Sequence, residues 1–286
     1  AGVEEEAPHQ VVETQCEWAY TGARGPVHWG GLCEGQYALC SAGTRQSPID
    51  VDTSAVVAVA NATTLGWNIP ATNYERVLHR LKGKALGDGE KESVTAHHVY
   101  EVSHVHATMP YGGVTWALKR FQLHTPSEHT FNGKKMDLEI QFVHEAVDEA
   151  GTSSAFIVSV FAKVEEGQGS PAFLRLLAQA ASKATHTPTD LVPLDFAEVA
   201  QAAMVGQLAH KGANPHDFEP NFKNYIAYKG SYTQPPCAEG VEWVLLQNPL
   251  YVYKADLDAL AALAGRDDRP VQPLNGRTLI ASVAPA

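Results

Sequence analysis

Between Phe121 and His144 the chain reads FQLHTPSEHTFNGKKMDLEIQFVH, and its polar residues are spaced for chemistry. Gln122 and His124 are two apart, as are Glu139 and Gln141, and side chains two apart on a strand share a face. Glu128 lies between the two pairs. One imidazole, two carboxylates and two carboxamides on an interior-looking face make a buried polar site, suited to proton transfer by Glu128 or His124 or to holding a ligand. His144 is odd-spaced from Gln141, so a regular strand turns it to the opposite face as a packed structural histidine.

A second group, His104-Val105-His106, has the His-x-His spacing of strand-borne metal ligands. Hairpin parity decides whether it joins the first. An even loop between the two strands makes His104 and His106 face away from Gln122 and His124, and a three-residue loop or a bulge reverses this. The expectation is a pair of solvent-facing or satisfied surface histidines.

Strands must position these groups. Val99 to Thr108, Val114 to His124, Leu138 to His144 and Ala155 to Val164 are β-branched or aromatic-rich and bounded by turn residues. Pro110-Tyr111-Gly112-Gly113 makes the first two a hairpin, and Asn132-Gly133 joins the strand of His124 to that of Gln141. Further strands are expected at Tyr225 to Tyr228 and Val241 to Leu246. Alanine-rich segments with helical spacing, such as Phe173, Leu176, Leu177 and Ala180, predict helices over 171–184 and 196–210, and a short one over Ala255 to Ala264. Residues 1–15 read as an N-terminal arm and 16–286 as one domain, without internal repeat or linker.

With 286 residues, 44% hydrophobic and 19% charged, the chain is a folded protein with a sizeable core. Its net charge of -11 argues against nucleic acid and anionic membrane surfaces as partners, and no apolar run is long enough to span a bilayer. The start, AGVEEEAPHQ, suits a mature N-terminus after signal cleavage. Cys16, Cys33, Cys40 and Cys237 form no CxxC pair, which favours two disulfides in an oxidising compartment over a zinc knuckle. Asn61-Ala62-Thr63 is a glycosylation sequon. A secreted or lumenal protein is expected.

From Trp18 to Ser282 the chain resembles the α-class carbonic anhydrases. The resemblance rests on Trp18-Ala19-Tyr20, Gly25-Pro26-Val27-His28-Trp29-Gly30, Gln46-Ser47-Pro48-Ile49-Asp50, Ser127-Glu128-His129-Thr130, Phe142-Val143-His144, Gly230-Ser231-Tyr232-Thr233-Gln234-Pro235-Pro236, Val241-Glu242-Trp243 and Arg269-Pro270-Val271-Gln272-Pro273-Leu274. It implies a mainly β fold: one domain on a large, twisted, mostly antiparallel sheet with short peripheral helices and a cone-shaped cavity.

In that family three histidines hold zinc, and here their positions are Gln122, His124 and Gln141. Carboxamide oxygens are weak zinc ligands beside imidazoles, so no zinc is expected unless the site is rebuilt, for example with His104 or His106. Glu139 takes the place of a ligand-orienting carboxylate. Glu128 and Thr233 match the pair that orients the zinc hydroxide, the glutamate accepting the threonine's proton, and Tyr20 a residue of the proton-relay network. Val143, Ile157, Val241 and Trp243 match the apolar wall for carbon dioxide. Arg120, Tyr232 and Gln234 depart from the family and narrow the cone. The family's shuttle histidine is not found, although His97 or His98 falls nearby.

The resemblance also implies a Cys40–Cys237 bridge, as in secreted members, and with it Cys16–Cys33. The segment 196–216 reads as an insertion and a candidate surface for a protein partner. The expected function is a carbonic-anhydrase-related binding or structural protein without catalytic zinc. The alternative is a carbonic anhydrase that hydrates carbon dioxide through a rebuilt metal site.

Overall fold

The computed structural model describes residues 16–59, 65–66, 68, 74–82, 97–102, 107–147, 155–183, 191–195, 224–264 and 266–282. Along the chain the strands are β1 (Asp50–Val51), β2 (Val57–Val59), β3 (Tyr74–Lys82), β4 (His97–Val102), β5 (Thr108–Tyr111), β6 (Val114–His124), β7 (Thr130–Phe131), β8 (Lys134–Lys135), β9 (Leu138–Ala146) and β10 (Ala155–Lys163). They continue as β11 (Leu191–Asp195), β12 (Tyr225–Ser231), β13 (Glu239–Leu246), β14 (Leu250–Tyr251) and β15 (Ile280–Ser282). Three α-helices are described: α1 (Leu39–Ala42), α2 (Ala172–Lys183) and α3 (Lys254–Ala264). The segment 196–216, Asn61, His104 and His106 lie outside the described residues.

One large sheet runs β11-β3-β4-β6-β9-β10-β13-β12-β15-β2, with β14 and β5 paired off that path. Its centre is antiparallel from β4 to β10, whereas β13 lies parallel to β10. Strands β9 and β10 are buried almost throughout, as is β6 from Phe121 onward, because both faces are covered. On one face Phe121, Leu123, Ile140, Phe142, Phe156 and Val158 share a core with helices α2 and α3. On the other, Val143, Ile157, Val241, Trp243 and Leu245 form a second cluster with Ile49 and Val51.

Helix α2 packs through Phe173, Leu174, Leu177, Ala178 and Ala181, the stripe that a 3.6-residue period produces. Leu176, expected on that stripe, points outward at 37% exposure, and Leu174 takes its place. The β5–β6 turn is the even, two-residue Gly112-Gly113 loop, since Tyr111 pairs with Val114. Asn132 and Gly133, both at positive φ, form a turn, but it joins the two-residue strands β7 and β8. It does not link the strand of His124 directly to that of Gln141. Pro126 has no N–H to continue a ladder, so β6 stops and residues 125–129 loop inward before β7 begins.

Both disulfides are present, Cys16–Cys33 and Cys40–Cys237. Such bridges persist in oxidising, extracytoplasmic compartments. Cys40–Cys237 spans 197 residues and fixes the loop after β12 to the N-terminal region, where Tyr20 and Trp29 are buried. Replacing both of these cysteines by alanine is expected to lower unfolding stability by about 2–5 kcal/mol, read from denaturant curves. A loss below about 0.5 kcal/mol would show that the bridge constrains little. No helix among the described residues is long and apolar enough to cross a membrane.

Candidate functional site

The site lies where β6 and β9 run side by side. An extra residue at Lys119 breaks their register between Leu118 and Arg120. The bulge shifts the alternation of β6. Trp116 and Leu118 before it, and Phe121 and Leu123 after it, all reach the same apolar core. Arg120, Gln122 and His124 are left on the opposite face. There Arg120 pairs with Val143, Gln122 with Gln141, and His124 with Glu139.

The two carboxamides bond to each other. Gln122 Nε2 donates to Gln141 Oε1 at 3.0 Å. Gln141 Nε2 in turn donates to Glu128 Oε2 at 2.8 Å and to Glu139 Oε1 at 3.1 Å, which engages both of its amide hydrogens. Glu139 is the hub of the buried network. Its Oε2 accepts the backbone N–H groups of Glu128 and His129, each at 2.9 Å. Its Oε1 accepts His129 Nδ1–H at 2.8 Å and the Ser159 hydroxyl at 2.7 Å. Burial alone would raise its pKa, but the His129 ring and the bonds from His129 and Ser159 hold it down at about 2. Beyond His129, the chain of contacts runs through Tyr228 Oη (2.6 Å) to Ser47 Oγ (2.8 Å).

His124 is oriented from behind. Its Nδ1 donates to the backbone carbonyl of Asp267 at 2.8 Å, so Nε2 is the nitrogen presented to the site. Nε2 is buried without a hydrogen-bond partner, 3.6 Å from Glu128 Oε2. Burial pushes the His124 pKa down, but the carboxylates of Glu128, Asp267 and Glu139 outweigh it, and the net shift is upward. Asp267 is pushed up to about 7 by burial, against the pull of His124 and the Thr125 N–H. An acid whose pKa is raised on folding favours the fold while protonated and loses that advantage as pH rises towards the folded value. Asp267→Asn keeps the acceptor for Thr125 N–H and removes the charge. Its stability relative to the parent should therefore grow between pH 4 and pH 7 and then level off, read from urea midpoints. A pH-independent difference would contradict this assignment.

Glu128 and Thr233, matched as a hydrogen-bonded pair, do not bond to each other. Glu128 Oε1 accepts the Arg269 backbone N–H at 3.0 Å and Oε2 takes the Gln141 amide. Thr233 Oγ1 is buried without a partner. The Glu128 oxygen that would accept the threonine's proton is bonded instead by the Gln141 carboxamide. Tyr20 Oη accepts from Gln234 Nε2 at 3.1 Å, and its ring stands edge-on to His124 with centroids 6.5 Å apart. Val143, Ile157, Val241 and Trp243 are together in the second core cluster. Arg120 lies over the Tyr232 ring at 5.8 Å and 3.9 Å from Glu145. His144 is elsewhere: its Nδ1 donates to the Phe156 carbonyl at 3.1 Å, and burial lowers its pKa to about 4. Strand β4 sets Val99 opposite Gln122 and His98 opposite Leu123.

Three contributors had no role in the sequence reading. Asp267 orients His124 through its main chain, which no side-chain pattern encodes. His129 stood inside Ser127-Glu128-His129-Thr130 but was not linked to Glu139. The Arg269 guanidinium bonds the Cys40 and Ser47 carbonyls and Gln46 Oε1, and burial lowers its pKa to about 10. Among the described residues no three His, Cys, Asp or Glu side chains are placed to hold a metal ion.

A large, mostly antiparallel sheet with few helices is the architecture of the α-carbonic anhydrases. The family described as eukaryotic-type carbonic anhydrase matches residues 24–283, and the chain belongs to it. A carbonic anhydrase of Klebsiella pneumoniae is 30% identical over 264 residues, covering 92% of this chain and 90% of that one. Dioscorin DB3S of Dioscorea polystachya is 26% identical and covers 94% of this chain and 87% of its own length. The solved α-carbonic anhydrase of Thermovibrio ammonificans, in complex with sulfanilamide, superposes with a TM-score of 0.67 at 26% identity, covering 93% of this chain and 99% of that one.

Proposed function

We propose that this carbonic anhydrase family member does not hydrate carbon dioxide through a zinc-bound hydroxide and acts instead as a secreted binding or structural protein. The observation that carries this reading is the closed amide pair of Gln122 and Gln141. Zinc is the metal the family would hold here, and the donor set does not fit it. A tetrahedral catalytic site needs three good nitrogen, sulfur or carboxylate donors, and one imidazole is offered, at His124. The Gln141 carbonyl is already engaged by Gln122. Glu139 meets an amide where it would orient an imidazole.

Hydration at neutral pH requires a hydroxide, and no other group in the site generates one. The retained Glu128, Glu139 and His129 then serve folding, because each is buried and hydrogen-bonded. Glycosylation at Asn61 and a partner surface on 196–216 belong to the same proposal. The test is the initial rate of carbon dioxide hydration with and without added zinc. The expected rate equals the uncatalysed one in both cases. A zinc-dependent acceleration would defeat the proposal and favour a rebuilt metal site.

A further inference from the structure

The chain holds two Asn-Gly pairs in similar settings, Phe131-Asn132-Gly133-Lys134 and Leu274-Asn275-Gly276-Arg277. Both are exposed turns with nearly the same backbone: φ is 50° and 76° in the first, 50° and 74° in the second. Glycine has no side chain to shield its N–H, so an asparagine before it can cyclise onto that nitrogen. Neither the neighbours nor the backbone gives the two pairs a reason to differ. Their hydrogen bonds do.

In the first turn every reacting group is tied. Asn132 Oδ1 accepts the Thr53 N–H at 3.0 Å, and Nδ2 donates to Thr53 Oγ1 at 2.9 Å. The nucleophile, the Gly133 N–H, donates to Asp50 Oδ1 at 2.8 Å. In the second turn Asn275 Nδ2 donates to the Thr44 carbonyl at 2.9 Å. The Gly276 N–H has no partner among the described residues.

We propose that Asn275 is a site of spontaneous deamidation to aspartate and isoaspartate, and that the same chemistry is held back at Asn132. The Gly276 nitrogen gives its proton to a solvent base and bonds to Asn275 Cγ. The Cγ–Nδ2 bond breaks, Nδ2 leaves as ammonia with a proton from solvent, and a succinimide ring remains. Water then adds to one of the two ring carbonyls. Cleavage at Cγ leaves an aspartate on an unchanged main chain. Cleavage at the backbone carbonyl leaves isoaspartate, with one more methylene in the main chain. Either product replaces the amide donor by a carboxylate, so the tie to the Thr44 carbonyl is lost. Two residues on, the Arg277 guanidinium bonds the carbonyls of Gln46 (2.8 Å) and Lys229 (3.1 Å) and lies over Tyr228. The modification therefore falls beside an anchor of the buried network.

Peptide mapping by mass spectrometry, on the folded full-length chain during incubation at mildly alkaline pH, tests this. Each hydrogen bond that must open lowers the reactive population by about fivefold. Three oppose reaction at Asn132 and one at Asn275, so Asn275 should react faster by on the order of 10-fold or more. In urea that unfolds the chain the two rates should agree to within about twofold. Asp50→Ala frees the Gly133 N–H and should speed Asn132 by about fivefold while leaving Asn275 unchanged. Equal rates in the folded chain, a faster Asn132, or no reaction at Asn275 would overturn the inference. So would a difference that persists after unfolding, because it would then belong to the sequence and not to the bonds.

Discussion

The double variant Gln122→His, Gln141→His is expected to bind one zinc ion per chain, more tightly than the parent by orders of magnitude. His124 is already set for it: Nδ1–H is held by the Asp267 carbonyl and Nε2 has no partner. The substituted positions face each other across β6 and β9, so their side chains and that of His124 start from one sheet face. Glu139 Oε1, now 3.1 Å from Gln141 Nε2, is in place to accept the remaining N–H of an imidazole there. Loss of the Gln141 amide also frees Glu128 Oε2. Metal titration reads the outcome, and each single variant should fall between parent and double. A double variant that folds but binds zinc no better than the parent would mean that the polar scaffold no longer has ligating geometry.

The second large effect is on stability. His129→Phe is expected to destabilise the fold by about 3–5 kcal/mol, because it removes one partner of a fully buried charged network. Glu139 would lose its shortest ring contact (2.8 Å) and Tyr228 its 2.6 Å partner. His144→Leu is the control. It removes the ring's bonds to the Phe156 and Phe142 backbone, and its cost should be about 1–2 kcal/mol. The pH dependence separates the two sites.

His144 falls from 6.5 to about 4, so its contribution is present above 6.5 and is lost as pH drops towards 4. Glu139 falls from 4.5 to about 2, so its contribution is present above 4.5 and is lost between there and 2. The cost of His144→Leu should shrink on going from pH 7 to pH 4, while that of His129→Phe persists to lower pH. Urea unfolding at pH 7, 5 and 4 measures both. Equal costs for the two variants would contradict the role given to Glu139 as hub.

The strands that carry this site were legible because their composition and turns are unambiguous, from Val114 to His124 and Leu138 to His144 in particular. Period-2 spacing correctly grouped Gln122 with His124 and Glu139 with Gln141, because the bulge at Lys119 precedes them. The Asn132-Gly133 turn was visible, but its level in the chain was not. A hairpin of two-residue strands has too little pattern to register, so the sequence ties the turn to the longer strands. The rearranged Glu128–Thr233 pair was beyond sequence reading for a different reason. Family matching carries a partner over with a residue, whereas the amide at Gln141 competes for the same carboxylate oxygen. Asp267 was invisible because it acts on His124 through a carbonyl that every residue has.

The most direct measurement is the zinc content of the natural chain after incubation with excess zinc and removal of free metal, by mass spectrometry. A protein with carboxamides at two of three ligand positions should retain well under one zinc per chain. A full equivalent, resistant to dialysis and lost on His124→Ala, would contradict the account at its root.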